Sequence, residues 1–228
     1  MEFEKQEPEQ DQYLQARLAA SVIYRKEKNY RQAEKVLTDL LGQEKYKKNL
    51  LVWQMYAEFL KEQRKFRKLA KVLSNLLSDY PQNQSLIFEL SVTKHELRDE
   101  DESIRLLKKL LKLNPRHANA LNFLAYSYAE AKINLDDALN LIEKALSRDL
   151  NNPYYLDTKA WVYYRFENFE EALKVQRRAL YYLPDDPILL EHYGDILLGL
   201  EREAEAKAYF ADSARYAEGS EDLSLIHI

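Results

Sequence analysis

Between Leu156 and Pro184 the large apolar side chains recur every three to four positions in two runs, separated by the polar stretch "FENFEE". That period predicts two helices joined by a short turn. Three small residues, Ala160, Ala172 and Ala179, stand where bulkier ones would look equally helical. Small side chains let two helix backbones approach at a crossing. Larger ones there would force the helices apart at a cost of about 1–3 kcal/mol each. Tyr163 and Phe169 are expected to fill the gaps beside the alanines, and Pro184 to stop the second helix.

The pattern returns along the chain. Downstream it reads Leu190, Gly194, Leu197, Ala206, Phe210 and Ser213; upstream it reads Leu121, Ala125, Tyr128, Ala138, Ile142 and Ala145. Earlier versions run through Ile87, Leu90, Ser91 and Ser103, through Tyr56, Ala57, Leu60 and Leu69, and through Ala20, Tyr24, Ala33 and Leu37. Copies begin near Leu14, Leu50, Gln84, Ala118, Pro153 and Pro187, a spacing of 34 to 36 residues. A fixed period of this length marks stacked helical repeats. Departures are small. Leu69 takes a slot that is usually alanine, Gly42 reads as a helix stop, and in "AKINLDD" Asn134 or Asp136 is expected to cap the following helix.

This series resembles the tetratricopeptide repeat over residues 14 to 217. The resemblance implies an all-α fold, a right-handed α-solenoid of six helix-turn-helix repeats. A polar segment, 1–13, would precede it and a tail, 218–228, would follow. It also implies a concave groove lined by the first helix of each pair, and a non-catalytic role in holding another protein or peptide.

Composition agrees with long helices and short turns: the chain of 228 residues has only four Gly and six Pro. It has no Cys, so disulfides, thiol nucleophiles and thiolate metal sites are excluded together. The absence of Cys fits the cytoplasm and an oxidising envelope compartment equally. No apolar run approaches the roughly 18 residues of a membrane span. The opening "MEFEKQEPEQDQ" is the reverse of a secretory signal, so an export signal would lie outside this chain. Net charge is −4, with basic residues dominating from Tyr24 to Val72 and acidic ones from Pro184 onward. Most of this reads as solvated helix faces, with a polarised surface that orients a charged partner as the sharper reading.

Catalytic patterns are missing. There is no glycine-rich phosphate loop or nucleophile elbow. His95, His117, His192 and His227 show no metal-ligand spacing. Asp136–Asp137 and Glu170–Glu171 read as helix-start acids favoured by the macrodipole. No enzyme activity and no cofactor or metal are expected. The run "KEQRKFRKLAKV" suggests nucleic acid, but Phe66 falls at a packing slot and reads as buried, and the whole chain is acidic. No nucleic-acid partner is expected.

Residues one turn from the packing slots are the candidates for a partner-binding groove. They are Phe88, Val92, His95, Asn119, Asn122, Tyr126, Tyr154, Asp157, Trp161, Tyr164, Arg165, Glu191 and Asp195 in the last four copies. In the first two copies they are Leu18, Val22, Arg25, Lys26, Gln54, Glu58 and Lys61. Tyr24, Tyr56, Tyr128 and Tyr163 read as core fillers. Tyr126, Trp161 and Tyr164 instead read as anchors, with Asn122, Asp157, Arg165 and Asp195 as hydrogen-bonding groups for a bound segment.

Some tetratricopeptide domains grip a C-terminal carboxylate with Lys and Asn. Here Asp157, Glu191 and Asp195 occupy that face, which argues against such a role. The alternatives are a docking arm of a larger enzyme and a structural spacer. Narrower stretches, "NALNFLAYSYAEAKINLDDALNLIEKAL", "YYLDTKAWVYYRFENFEEAL" and "PDDPILLEHYGDILLGL", resemble bacterial exported or envelope-associated tetratricopeptide proteins. That resemblance implies a bacterial fragment and a periplasmic or envelope location, with cytoplasm as the alternative. The closing "LSLIHI", Leu223 to Ile228, resembles a translated sequencing-adapter end, so 223–228 are expected to be read-through.

Overall fold

The computed structural model describes residues 8–219, with side chains described from Gln12 to Ala217. The "LSLIHI" segment lies outside the described residues. Among those described, the chain is all-α, a solenoid of helix-turn-helix repeats that divides into two compact units, 1–81 and 82–228.

The first unit holds α1 (Pro8–Lys26), α2 (Tyr30–Leu41), α3 (Leu50–Glu62) and α4 (Phe66–Asp79). α1 begins within the segment read as a polar lead-in, at a proline, which has no amide hydrogen of its own to leave unsatisfied in the first turn. α1 packs on α2, α2 on α3 and α3 on α4. Leu37, Leu40, Val52, Phe59 and Leu60 form a fully buried core. At its edge Glu34 accepts bonds from Lys65 at 2.6 Å and Lys68 at 2.5 Å. Burial pushes the Glu34 carboxyl up, but the two ammonium groups outweigh it and hold the carboxyl below its ordinary value.

The second unit holds α5 (Gln84–Glu96), α6 (Glu100–Leu113), α7 (Ala118–Glu130), α8 (Leu135–Leu146), α9 (Pro153–Arg165), α10 (Phe169–Tyr182), α11 (Pro187–Gly199) and α12 (Glu203–Gly219). Each helix packs on the next. In addition α7 packs on α9 and α9 on α11, so first helices of successive pairs lie side by side. Ala125, Ala138, Ala145, Ala160, Ala172, Ala179 and Ala206 are all fully buried, as crossing positions require. Gly194 extends the rule, since a Cβ built there would stand 2.6 Å from Phe210 Cε1.

Two local devices repeat. Side chains cap the first helices: Asn49, Asn83, His117, Asn152 and Asp186 each accept from backbone amides one turn ahead. The turn inside each pair places a non-glycine residue in the left-handed region. These are Lys28, Arg64, Arg98, Lys132, Glu167 and Glu201, with φ of 51 to 64°. The amide of the following residue then bonds back five positions, as from Asn29 to Tyr24 and from Arg202 to Leu197, at 2.8 and 2.9 Å. This is the Schellman closure, ordinarily supplied by glycine.

Several local expectations need correction. Asn134 sits at the cap of α8, but its backbone is left-handed and neither it nor Asp136 makes a side-chain cap bond. A cap needs an extended backbone to aim its oxygen at the amides ahead. Phe66 is half-buried rather than enclosed, and Tyr30 is exposed, because both open a second helix at the edge of the turn. Phe169 is also half-buried, and its ring lies against Gly199, where a Cβ would come within 2.6 Å. Tyr56 and Tyr128 are buried fillers, whereas Tyr24 and Tyr163 are half-buried.

Candidate partner-binding face

In the second unit the first helices present one stripe each, spaced by three and four residues. On α9 it contains Tyr154, Asp157, Trp161, Tyr164 and Arg165; on α11 it contains Glu191, His192 and Asp195. The rings of Tyr164, Trp161 and His192 stack in one tier. Centroids are 4.6 Å apart between Tyr164 and Trp161 and 4.3 Å apart between Trp161 and His192, with planes within 12 and 16° of parallel.

Polar bonds fix this tier from behind. The Trp161 indole N–H donates to Glu130 Oε1 at 2.6 Å, and Arg165 Nη2 donates to the Glu130 carbonyl at 2.7 Å. His192 Nδ1 lies 2.9 Å from Asp157 Oδ1, which also accepts from Gln176 Nε2 at 2.5 Å. Gln176 Nε2 donates as well to the Leu189 carbonyl at 2.9 Å. Burial disfavours a charged His192 ring, but the carboxylate of Asp157 outweighs it and raises the pKa, with Asp195 and Glu191 adding to the effect. A nearly enclosed histidine–carboxylate contact therefore joins α9 to α11, an ion pair whenever His192 is protonated.

The neighbouring part of the face lies on α5 and α7. Phe88 is half-buried against His117 and Phe123. His95 is half-buried, with Nδ1 2.9 Å from Glu100 Oε2 and its ring edge-on to Phe123 and Tyr126. Tyr126 is half-buried, and burial first, then Glu130, push its hydroxyl pKa up. Tyr154 is half-buried and similarly raised by burial, with Asp186 adding to it. Asn119 is exposed, and its Oδ1 accepts from the Tyr155 hydroxyl at 2.6 Å.

Not every candidate is open to a partner. Asn122 is 0% exposed and Asp157 2%, so neither can reach a bound segment as a hydrogen-bonding group. Trp161 is 8% exposed, so it backs the face rather than forming its outermost anchor. Val92 is buried too. For Asn122, Asp157 and Trp161 the reason is that α7 packs on α9 and α9 on α11, so adjoining first helices cover part of the stripe. Tyr126, Tyr154, Tyr164, Arg165 and Asp195 remain half-open, and Glu191 is exposed.

In the first unit, Leu18 is buried and Val22 half-buried. Arg25 is bonded to Glu62 and lies 3.6 Å from Glu58. Lys26 and Gln54 are exposed and Lys61 is half-buried. Glu130, Gln176 and His192, which support the aromatic tier, were not among the sequence candidates. Their signal lies in spacing. Asp157 and His192 are 35 residues apart, as are Glu130 and Arg165, so complementary polar groups recur one period away.

The fold and face together define an α-helical repeat protein with an aromatic, partly acidic first-helix surface. No family model matches the chain. It is 27% identical over 139 residues to the TPR repeat-containing protein PA4667 of Pseudomonas aeruginosa, a match covering 61% of this chain and 23% of that protein. It is also similar in fold to a tetratricopeptide repeat protein from Parabacteroides merdae. There the TM-score is 0.74 at 19% identity, covering 90% of this chain and 80% of that one. MamA from Desulfovibrio magneticus aligns with a TM-score of 0.60 at 13% identity over 75% of this chain and 96% of its own. The APC/C hetero-tetramer Cut9–Hcn1 provides a further match, with a TM-score of 0.64 at 18% identity over 84% of this chain and 36% of that one. By fold and by repeat, the chain is similar to tetratricopeptide-repeat proteins.

Proposed function

We propose that this chain is a non-catalytic scaffold that holds a segment of another protein against the first-helix face of its second unit. The observation that carries this reading is the Tyr164–Trp161–His192 tier, held in place before any partner arrives. Of the three rings, half-open Tyr164 is the one a partner can reach, and a ring so held offers contact area with few rotors to freeze. Half-open Tyr126 and Tyr154 extend the same face. Among the described residues no three His, Asp or Glu gather where they could hold a metal ion, and no helix is long and apolar enough to cross a membrane.

A docking arm of a longer protein is the second reading. It is favoured by the fact that the match spans only 23% of the length of its Pseudomonas relative. Both readings place the partner on the same face. Affinity capture from the source organism tests it with two paired variants. Tyr126→Ala with Tyr164→Ala is expected to lose partners that the parent chain retains. Tyr181→Ala with Tyr182→Ala, changed at exposed positions on α10, is expected to keep them. Equal retention by both variants would contradict the reading.

A further inference from the structure

Resting on that reading, we infer that the bound segment presents a cationic side chain, Lys or Arg, to a seat formed by Tyr164 of α9 and Glu191 and Asp195 of α11. Glu191 and Asp195 lie one turn apart on α11, on either side of His192, whose ring stacks on Trp161 and whose Nδ1 meets Asp157 of α9. The Tyr164 ring is held on α9, stacked on Trp161 at 4.6 Å and tilted against Phe169 at 5.6 Å.

The chain's own nearby cations are committed elsewhere. His192 faces Asp157, and Arg165 donates to the Glu130 carbonyl. Among the described residues neither the Glu191 nor the Asp195 side chain makes an ion pair or a hydrogen bond. Asp195 is nonetheless half-buried. Burial pushes its carboxyl up, the imidazole of His192 pulls against that, and Glu191 adds to it. Tyr164 follows Trp161 by three residues on α9 and Asp195 follows His192 by three on α11, so the Trp161–His192 stack sets both one turn beyond the same contact. Burial first, then Asp195, raises the Tyr164 hydroxyl. A partly desolvated carboxylate with a second beside it is an electrostatic deficit that one ammonium or guanidinium would cancel. The tyrosine ring offers the same cation its negative face.

Charge complementarity therefore selects the occupant, and it disfavours an acidic segment or a terminal carboxylate. The seat differs from Glu34, whose cations Lys65 and Lys68 come from the same chain. It differs also from Asp157, whose partner is His192.

Selection of a random 12-residue peptide library displayed on phage tests this directly, using the full chain as bait. Peptides enriched on the parent chain are expected to carry Lys or Arg at one aligned position. Their binding should weaken about tenfold in Glu191→Gln with Asp195→Asn, a pair that keeps size while removing charge. They should weaken similarly in Tyr164→Ala and be unchanged in Tyr181→Ala. Tyr164-dependent peptides without a cation, or peptides that tolerate the neutral pair, would overturn the cationic seat while leaving the face as a binding site. Cationic peptides indifferent to Tyr164 would overturn the seat as mere charge adhesion. A library yielding no Tyr164-dependent binder would overturn the seat together with the binding face.

Discussion

The residues that shape this chain most sharply are those whose local chemistry runs against habit. Glu201 is exposed and left-handed, in a turn that glycine ordinarily fills. A side chain there costs about 1–2 kcal/mol, partly offset because glycine loses more entropy on folding. Glu201→Gly is therefore expected to stabilise the second unit by up to about 1 kcal/mol in urea unfolding. A loss of stability would contradict the turn geometry.

Two histidines give opposite pH signatures. His192 has a raised pKa, so its contribution is full below its unfolded value and fades as pH rises through the folded one. His117 caps α7 through Nδ1, which accepts from the Ala120 amide at 3.2 Å and must stay unprotonated. Burial lowers its pKa, so its contribution is lost as pH falls below the unfolded value. Relative to the parent chain, His192→Gln should thus cost most stability in mild acid and least in alkali. His117→Asn should remove part of the acid sensitivity. Melting curves across pH 5 to 9 read both, and matching profiles for the two variants would sink the assignment.

At the scale of elements, helix pairs are set by the small residues at their crossings. Gly194→Ala would press a methyl into the Phe210 ring, and a cost of about 1–3 kcal/mol is expected. Phe210→Leu should recover part of it. A double-mutant cycle that finds the two changes additive would place the crossing elsewhere. This level of structure was largely legible in the amino-acid order. Ala160, Ala172 and Ala179 stood out against their bulky neighbours, and all three are fully buried. The face was legible only in part. Periodicity identifies a stripe but not its width, so Asn122, Asp157 and Trp161 were read as open when adjoining helices cover them. The left-handed turns were hidden because Lys, Arg and Glu occupy them instead of glycine. His192 was hidden because its partner lies one full repeat away.

At the scale of the molecule, charge is divided between the units. The first carries sixteen basic and twelve acidic residues, the second eighteen and twenty-six, which makes one positive and the other negative. In the second unit each pair is stabilised by its neighbours: α7 to α10 pack on the helices before and after them, whereas among the described helices α12 packs chiefly on α11. Hydrogen exchange is expected to be slowest in α7 to α10 and faster in α12; uniform protection would argue against this nearest-neighbour order. The central claim is that another protein lies along the first helices of the second unit. A photo-crosslinking amino acid placed at position 164, and separately at 181, tests it inside the source organism. The account predicts a discrete crosslinked partner from 164 and none from 181. The same crosslinks from both positions, or crosslinks from 181 alone, would contradict it.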